Sequence, residues 1–251
     1  MCGDGANDAP ALRQAQMGIA VSTATDVAKS AAGVVLIEPG LAGIVAAVKE
    51  GRITFQRILT YTLNSVTKKI VQVLLLGVGL VMTGHAILTP LLMIIVMMAG
   101  DFLGMSLTTD NVRPSSLPNR WRISNLTIAG IFMGISELVF CVGVLAIGHY
   151  RLGLAIAPLQ TLMFVALVCG NQATMYAVRA RQRIWSSPHP SHWLALSSVA
   201  DLAIALTLAG CGWLMAPLSL SILISVLAAA FIFSFALDVV KVSVFGRLKI
   251  T

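Results

Sequence analysis

Ile70-Val-Gln-Val-Leu-Leu-Leu-Gly-Val-Gly-Leu-Val-Met-Thr83 decides how the rest of the chain is read. It carries no charge and no proline, and it closes a proline-free run that extends from Ala46 to Gly84. The first half of that run holds Lys49, Glu50, Arg52, Gln56 and Arg57, whereas the second half is apolar. A helix that leaves water and enters hydrocarbon has this composition. The pattern predicts one very long helix with a membrane span at about 64–84, the roughly 20 residues that a bilayer requires. Five more apolar windows of similar length follow, at 86–107, 126–148, 159–178, 193–214 and 218–240. Proline punctuates the connections at Pro90, Pro114, Pro118, Pro158, Pro188, Pro190 and Pro217.

Composition agrees. The 251 residues are 57% hydrophobic and only 11% charged, with a mean hydropathy of +0.90. A soluble domain carries about 25% charged residues. The chain is therefore expected to be an α-helical membrane protein with six transmembrane helices, in contact with membrane lipid. The apolar runs begin far from Met1, so no secretory signal peptide is expected. Cys2, Cys141, Cys169 and Cys211 include no CxxC pair, and three of them lie in apolar segments, which points to neither a metal site nor a disulfide framework.

The net charge of +7 has a topological reading. If residues 1–69 are cytoplasmic, the other cytoplasmic segments are 108–125, 179–192 and 241–251. These hold Arg113, Arg120, Arg122, Arg179, Arg181, Arg183, Lys241, Arg247 and Lys249, against Arg151 alone in the outer loops. The positive-inside rule then puts both termini in the cytoplasm. The basicity needs no nucleic acid.

Residues 1–48 read differently, as alternating α/β pieces. Ala9–Gln16 is a helix candidate, with Asp8 as N-cap and Pro10 in its first turn. Residues 18–21 and 33–38 are strand candidates, and Thr25–Ala32 is a second helix. This is too little chain for a stable sheet of its own. Ahead of it stands Gly3-Asp-Gly-Ala-Asn-Asp8. Gly3 and Gly5 allow a sharp turn and close approach to an anion. Asp4 and Asp8 can hold Mg²⁺ with water and a phosphate oxygen, and Asn7 can donate to phosphate without adding charge. An ordinary Asx-rich turn fits the bare string equally well.

The longer string Gly3-Asp-Gly-Ala-Asn-Asp-Ala-Pro-Ala-Leu12 resembles the hinge motif of P-type ATPases, which belong to the haloacid-dehalogenase-like phosphotransferases. The resemblance continues through residues 18–21, Thr25-Asp26, Ala31-Ala32 and Val35-Leu36. Glu38-Pro-Gly-Leu41, Phe55-Gln-Arg57, Tyr61-Thr62, Asp110-Asn-Val-Arg-Pro-Ser115 and Trp121 are similar to the plasma-membrane proton-pump branch. It implies that residues 1–48 close a phosphorylation domain. It likewise implies that residues 49–251 hold the fifth to tenth membrane helices, in the plasma membrane. By the resemblance, Asp4 binds Mg²⁺, while Asn7 and Asp8 support the phosphate pocket. In the intact enzyme, ATP phosphorylates an aspartate, and the long first helix tilts in response.

Asp101 stands out among the membrane charges. It lies in Met98-Ala-Gly-Asp-Phe-Leu-Gly104, between glycines that can loosen the helix and open backbone carbonyls to a cavity. Such a residue needs a reason, because a charge at mid-bilayer costs ~2.5–3.5 kcal/mol. A carboxyl group there can take up a proton in one state and release it in another, with Lys69 as its cationic partner. The resemblance assigns the same roles, proton carrier to Asp101 and basic partner to Lys69. The chain departs from the family in having lysine where arginine is typical, and Gly100 where asparagine commonly precedes the aspartate. Glu137 and Asp201 read either as relay groups or as helix–helix hydrogen-bonding residues. Asn171-Gln172 reads as interhelical polar packing, Asp238 beside Lys241 as interfacial, and His85, His149, His189 and His192 as solvated.

Two rival readings remain. One is a P-type pump for another cation, which a single acid in the first two spans disfavours. The other is a non-enzymatic membrane subunit or inactive truncated remnant, with a separate N-terminal half as a possible partner. The sequence lacks the Asp-Lys-Thr-Gly-Thr string that carries the family's phosphorylated aspartate, and also its Thr-Gly-Glu-Ser string. The chain by itself is therefore expected to release no phosphate from ATP. Mg²⁺-dependent ATP hydrolysis by the purified 251-residue chain would overturn this expectation.

Overall fold

The computed structural model describes residues 1–40, 42–115, 118, 121–186 and 188–248. Leu41, Arg120 and Lys249, used in the motif and charge readings above, lie outside the described residues. The chain divides into one unit built on Met1–Phe55 and a larger one built on the chain from Gln56 onward.

The first unit alternates strand and helix: β1 (Cys2–Gly3), α1 (Ala9–Gln14), β2 (Ile19–Ala20), α2 (Asp26–Ala31) and β3 (Val34–Val35). The strands form a parallel sheet in the order β1-β2-β3, with Cys2 opposite Ile19 and Ala20 opposite Val35. Leu12, Ala20, Ala24 and Ala28 make its small core. Thr25 is the N-cap of α2 rather than its first helical residue, and its Oγ1 accepts from the Ala28 N–H at 3.4 Å. β1 was not expected, because a two-residue strand leaves no alternation to read.

α3 (Ala42–Thr83) is 42 residues long, four residues longer at its start than the apolar pattern implied. The second unit continues with α4 (Pro90–Ser106), α5 (Ile123–Ala146), α6 (Ile156–Arg179), α7 (His192–Cys211) and α8 (Leu220–Leu248). Among the described residues, six helices are long and apolar enough to cross a membrane. A 3₁₀ turn extends α4 through Thr109, and a π-helical turn extends α5 through Arg151.

α6 is the core of this bundle. It is buried along almost its whole length, while its neighbours each leave an apolar face uncovered. It packs on α4, α5, α7 and α8. α3 meets α5 through small residues, as membrane helices commonly do. A Cβ at Gly134 would lie 2.9 Å from Ile70 Cγ2, so only glycine lets the two helices approach this closely.

Hydrogen bonds define the two ends of the bundle. At one end the Arg57 side chain reaches the Asp110 carbonyl, Arg179 reaches Asp110, and Asn125 reaches the Leu248 carbonyl. At the other, Gln160 Nε2 donates to the Ala86 carbonyl at 2.7 Å. Arg57, Arg179, Arg181 and Lys241 cluster at the first end, and Arg151 belongs to the second.

Candidate functional site

The glycine-rich loop leaves β1 at its carboxyl end, where parallel sheets bind ligands. The Asp4 and Asn7 side chains are exposed and Asp8 is half-buried. Asp8 sits at the N-cap position of α1, but its side chain does not cap the helix. Its Oδ2 turns back and accepts from the N–H groups of Asp4 and Gly5, at 3.1 and 3.2 Å. Two loop donors outcompete the helix terminus for that oxygen. A Cβ at Gly3 would lie 2.7 Å from Asp8 Oδ2, so this fold of the loop requires glycine there. The Asp4 carbonyl is tied down by the Thr25 N–H at 2.9 Å. The loop thus presents carboxylate and amide oxygens, the donors a hard cation takes.

Of the two adjacent lysines on α3, Lys68 is the one that faces inward. Its Nζ donates to the Gly100 carbonyl at 2.5 Å. Lys69, the partner expected for Asp101, is exposed instead. Adjacent helical residues point about 100° apart, and the buried stripe of α3, through Leu63, Asn64, Thr67, Val71 and Leu75, borders Lys68 and lies opposite Lys69. Asp101 is itself exposed on α4, beside Phe102. Lys68 is bound to the carbonyl just before it, and no direct Lys68–Asp101 ion pair forms among the described residues.

Asp101 is not alone near this ammonium. Glu137 and Asp201 also act on the Lys68 charge through space. Glu137 is 1% exposed, and its Oε2 accepts from Thr174 Oγ1 at 2.8 Å. Asp201 Oδ2 accepts from Gln172 Nε2 at 2.7 Å, and Ser198 Oγ donates to Gln172 Oε1. The helix–helix bonding read for Glu137, Asp201 and Gln172 is therefore present, and it converges on Lys68. Asn171 lies here too: a Cβ at Gly100 would be 3.0 Å from Lys68 Nζ and 3.2 Å from Asn171 Nδ2. Sequence reasoning had no signal for this convergence, because the residues sit on five helices.

A second polar cluster braces the basic end. Asp110 is 2% exposed and pairs with Arg179 Nε at 2.5 Å. It also accepts from the Ser191 N–H at 3.1 Å. Arg179 further donates to the Asn111 and Pro188 carbonyls. Arg181 donates to the Gln56 and Thr60 side chains of α3. Burial pushes its guanidinium down to about 10, so it keeps its charge at neutral pH. Asp238 and Lys241, expected at the interface, are buried: they pair at 2.6 Å, and Lys241 donates to the Ala177 carbonyl. A buried charge is tolerated only when it is paired in this way.

No protein-family model matches the chain. It is 33% identical over 250 residues to a protein named "Putative cation-transporting ATPase MJ1226" from Methanocaldococcus jannaschii. The alignment covers 100% of this chain and 31% of that protein. The chain thus spans about a third of the length of the curated relative it matches. The six apolar helices and this similarity mark an integral membrane protein.

The Asp110–Arg179 pair generates a test. Asp110→Ala leaves a buried guanidinium unpaired and is expected to destabilise the folded protein by about 3–5 kcal/mol. Adding Arg179→Met should restore part of the loss, read as melting temperature in detergent. Additive losses would show that the pair does not couple the helices.

Proposed function

We propose that this chain is the C-terminal portion of an ATP-driven cation pump of the P-type ATPase class, and that the transported ion is a proton. The observation that carries the reading is the Lys68 ammonium, held on the Gly100 carbonyl with Asp101, Glu137 and Asp201 around it. Charged groups inside a membrane bundle mark ion pathways. The whole-length similarity to a protein named as a cation-transporting ATPase supports the same reading.

In this account Asp101 is the carrier. Its helix is held to α3 by the Lys68–Gly100 bond, so a shift of α3 moves the ammonium relative to the Asp101 carboxyl group. A nearby ammonium favours proton release, and its withdrawal favours uptake. Lys69 faces away from this bond, so the basic partner in this account is Lys68.

Residues 1–48 would form the end of a haloacid-dehalogenase-like phosphorylation domain. The strand–helix alternation and the loop at the carboxyl end of β1 support this. The loop fits Mg²⁺: Asp4 is exposed, and only one Asp8 oxygen is committed to the backbone. Asp4 and Asp8 would hold the ion, Asn7 would donate to phosphate, and Gly3 and Gly5 would let the backbone close on it. When bound, Mg²⁺ neutralises charge on a transferring phosphoryl group. ATP, the phosphorylated aspartate and the remaining membrane helices would come from the rest of the pump. The basic end of the bundle would face the cytoplasm at the plasma membrane, with both termini on that side.

One observation favours a different ion. The structure brings three carboxylates near Lys68, where the first two spans alone offered Asp101. Oxygen-rich clusters of this kind also suit alkali cations. The test is ATP-driven transport by the intact pump in sealed vesicles, comparing a proton signal with Na⁺ and K⁺ uptake. Wild-type protein is expected to acidify the lumen in a Mg²⁺-dependent way, and Asp101→Asn to abolish this. Normal acidification by the Asp101→Asn variant would remove Asp101 from the pathway, and uptake of Na⁺ or K⁺ without acidification would replace the proton.

A further inference from the structure

We propose that His85 and His149 form a Zn²⁺ site at the end of the bundle opposite the basic cluster, where the ion staples the α3–α4 connection to the end of α5. The site stands on its own geometry. Only its effect on transport rests on the pump reading.

The two imidazoles come from separate segments of the chain and line one cavity of about 170 Å³. Their sequence context suggested solvated side chains; the structure gives them shared walls. Thr83, Ile87, Leu159 and Gln160 belong to the same lining. One water needs ~10–15 Å³ by this measure, so the cavity holds an ion together with water.

Each histidine is held in place. The His85 N–H donates to Thr83 Oγ1 at 3.2 Å, and its ring Nδ1 lies 2.9 Å from the Thr83 carbonyl. A carbonyl oxygen only accepts, so Nδ1 carries the proton and the Nε2 lone pair is free. Metal-ligating imidazoles are oriented in this way, with the second ring N–H on a carbonyl or carboxylate. His149 stands in the π-helical turn Ile147–Arg151, and single turns of this kind recur at functional sites. A Cβ at Gly148 would lie 2.4 Å from Leu162 Cδ2, so only glycine lets the turn press this closely on α6. His149 packs edge-on against Tyr150, with ring centroids 4.8 Å apart. Its ring nitrogens have no hydrogen-bond partner among the described residues. Gln160 Nε2 donates to the Ala86 carbonyl at 2.7 Å, which ties α6 to the residue after His85. Its Oε1 is left to accept from a metal-bound water.

Donor type selects the ion. Imidazole nitrogen suits borderline divalent ions such as Zn²⁺, whereas Mg²⁺ and Ca²⁺ take oxygen. No carboxylate is among the described residues that line the cavity. Arg151, the charged residue of the π-helical turn, is exposed and stands outside the lining. The site is thus separate in place and in chemistry from the Lys68 cluster, which is built of carboxylates and amides. His85 follows closely on the last residue of α3. An ion shared with His149 therefore anchors the end of α3 to α5 and opposes the movement of α3 that the pump reading requires.

The experiment has two arms. Zn²⁺ binding to the untagged chain in lipid nanodiscs is measured by calorimetry, with Mg²⁺ in excess. Cys2→Ser, Cys211→Ser, His189→Ala and His192→Ala are introduced first, to remove the other exposed thiols and imidazoles. This chain is expected to bind a single Zn²⁺, with imidazole nitrogen in its X-ray absorption spectrum. Adding His85→Ala or His149→Ala should weaken binding by at least the ~10–100-fold that loss of an outer-shell partner already costs. No saturable binding before these additions, or unchanged binding after either, overturns the site. Each histidine is tested separately, so a variant that does not fold leaves the other to decide.

In the second arm, the intact pump in sealed vesicles is given Zn²⁺ on the side that carries His85. Wild-type transport is expected to slow, and His85→Ala to need at least ~10-fold more Zn²⁺ for the same effect. Equal sensitivity overturns the staple. Wild-type vesicles that move no cation sink the pump reading, and the binding arm still decides the site.

Discussion

Inside a bilayer, a helix surrounded by other helices has neither lipid nor water to face, and α6 is in that position. Helix association there cannot draw on the hydrophobic effect, since lipid tails are as apolar as leucine. It depends on close packing and on polar groups that find each other. Asn171, Gln172 and Thr174 put three polar side chains within one turn of α6, at positions that are all buried. Thr174 bonds to Glu137 on α5, and Gln172 bonds to Asp201 and Ser198 on α7. These contacts fix the rotation of α6, and with it the side on which Asn171 meets α3 and α4. The polar centre of the bundle and its packing are thus one feature.

At the basic end, the same logic acts on the connections. Asp110, just past α4, collects Arg179 from α6 and the Ser191 N–H ahead of α7, and its own carbonyl takes Arg57 from α3. One buried residue, through its carboxylate and its backbone carbonyl, therefore ties four helices together at the basic end of the bundle. Lys241 and Asp238 do the same for α8, since Asp238 accepts from the Ile184 N–H and Lys241 reaches the Ala177 carbonyl. A shift of α3 would be felt at both this end and the Lys68 cluster, because α3 carries both Arg57 and Lys68.

The six helices were legible because span length is a hard constraint and apolar runs satisfy it openly. Their ends were less so. The π-helical turn at Ile147–Arg151 carries α5 past the end of its apolar window, and α3 starts at Ala42 in a stretch with ordinary soluble composition. The loop Gly3–Asp8 was legible as chemistry, and Asp8 does stand at the N-cap position of α1, but sequence spacing does not reveal that its carboxylate bonds loop N–H groups rather than the helix terminus. Lys68 and Lys69 could not be ranked by sequence. They are neighbours, and which one borders the buried face of α3 is decided by the packing of that whole helix. Asp110 was visible only as part of a resemblance; its partner Arg179 lies 69 residues away, and no periodicity connects them.

The central claim is that the inward-facing ammonium of Lys68 organises the cation site, and its most direct test is a comparison of neighbours. Lys68→Met and Lys69→Met, each made in the intact protein, are compared for ATP-driven cation uptake into sealed vesicles at equal protein and equal ATP hydrolysis. The account predicts that Lys68→Met uncouples or abolishes uptake while Lys69→Met behaves as wild type. Normal uptake by Lys68→Met, with loss confined to Lys69→Met, would contradict it.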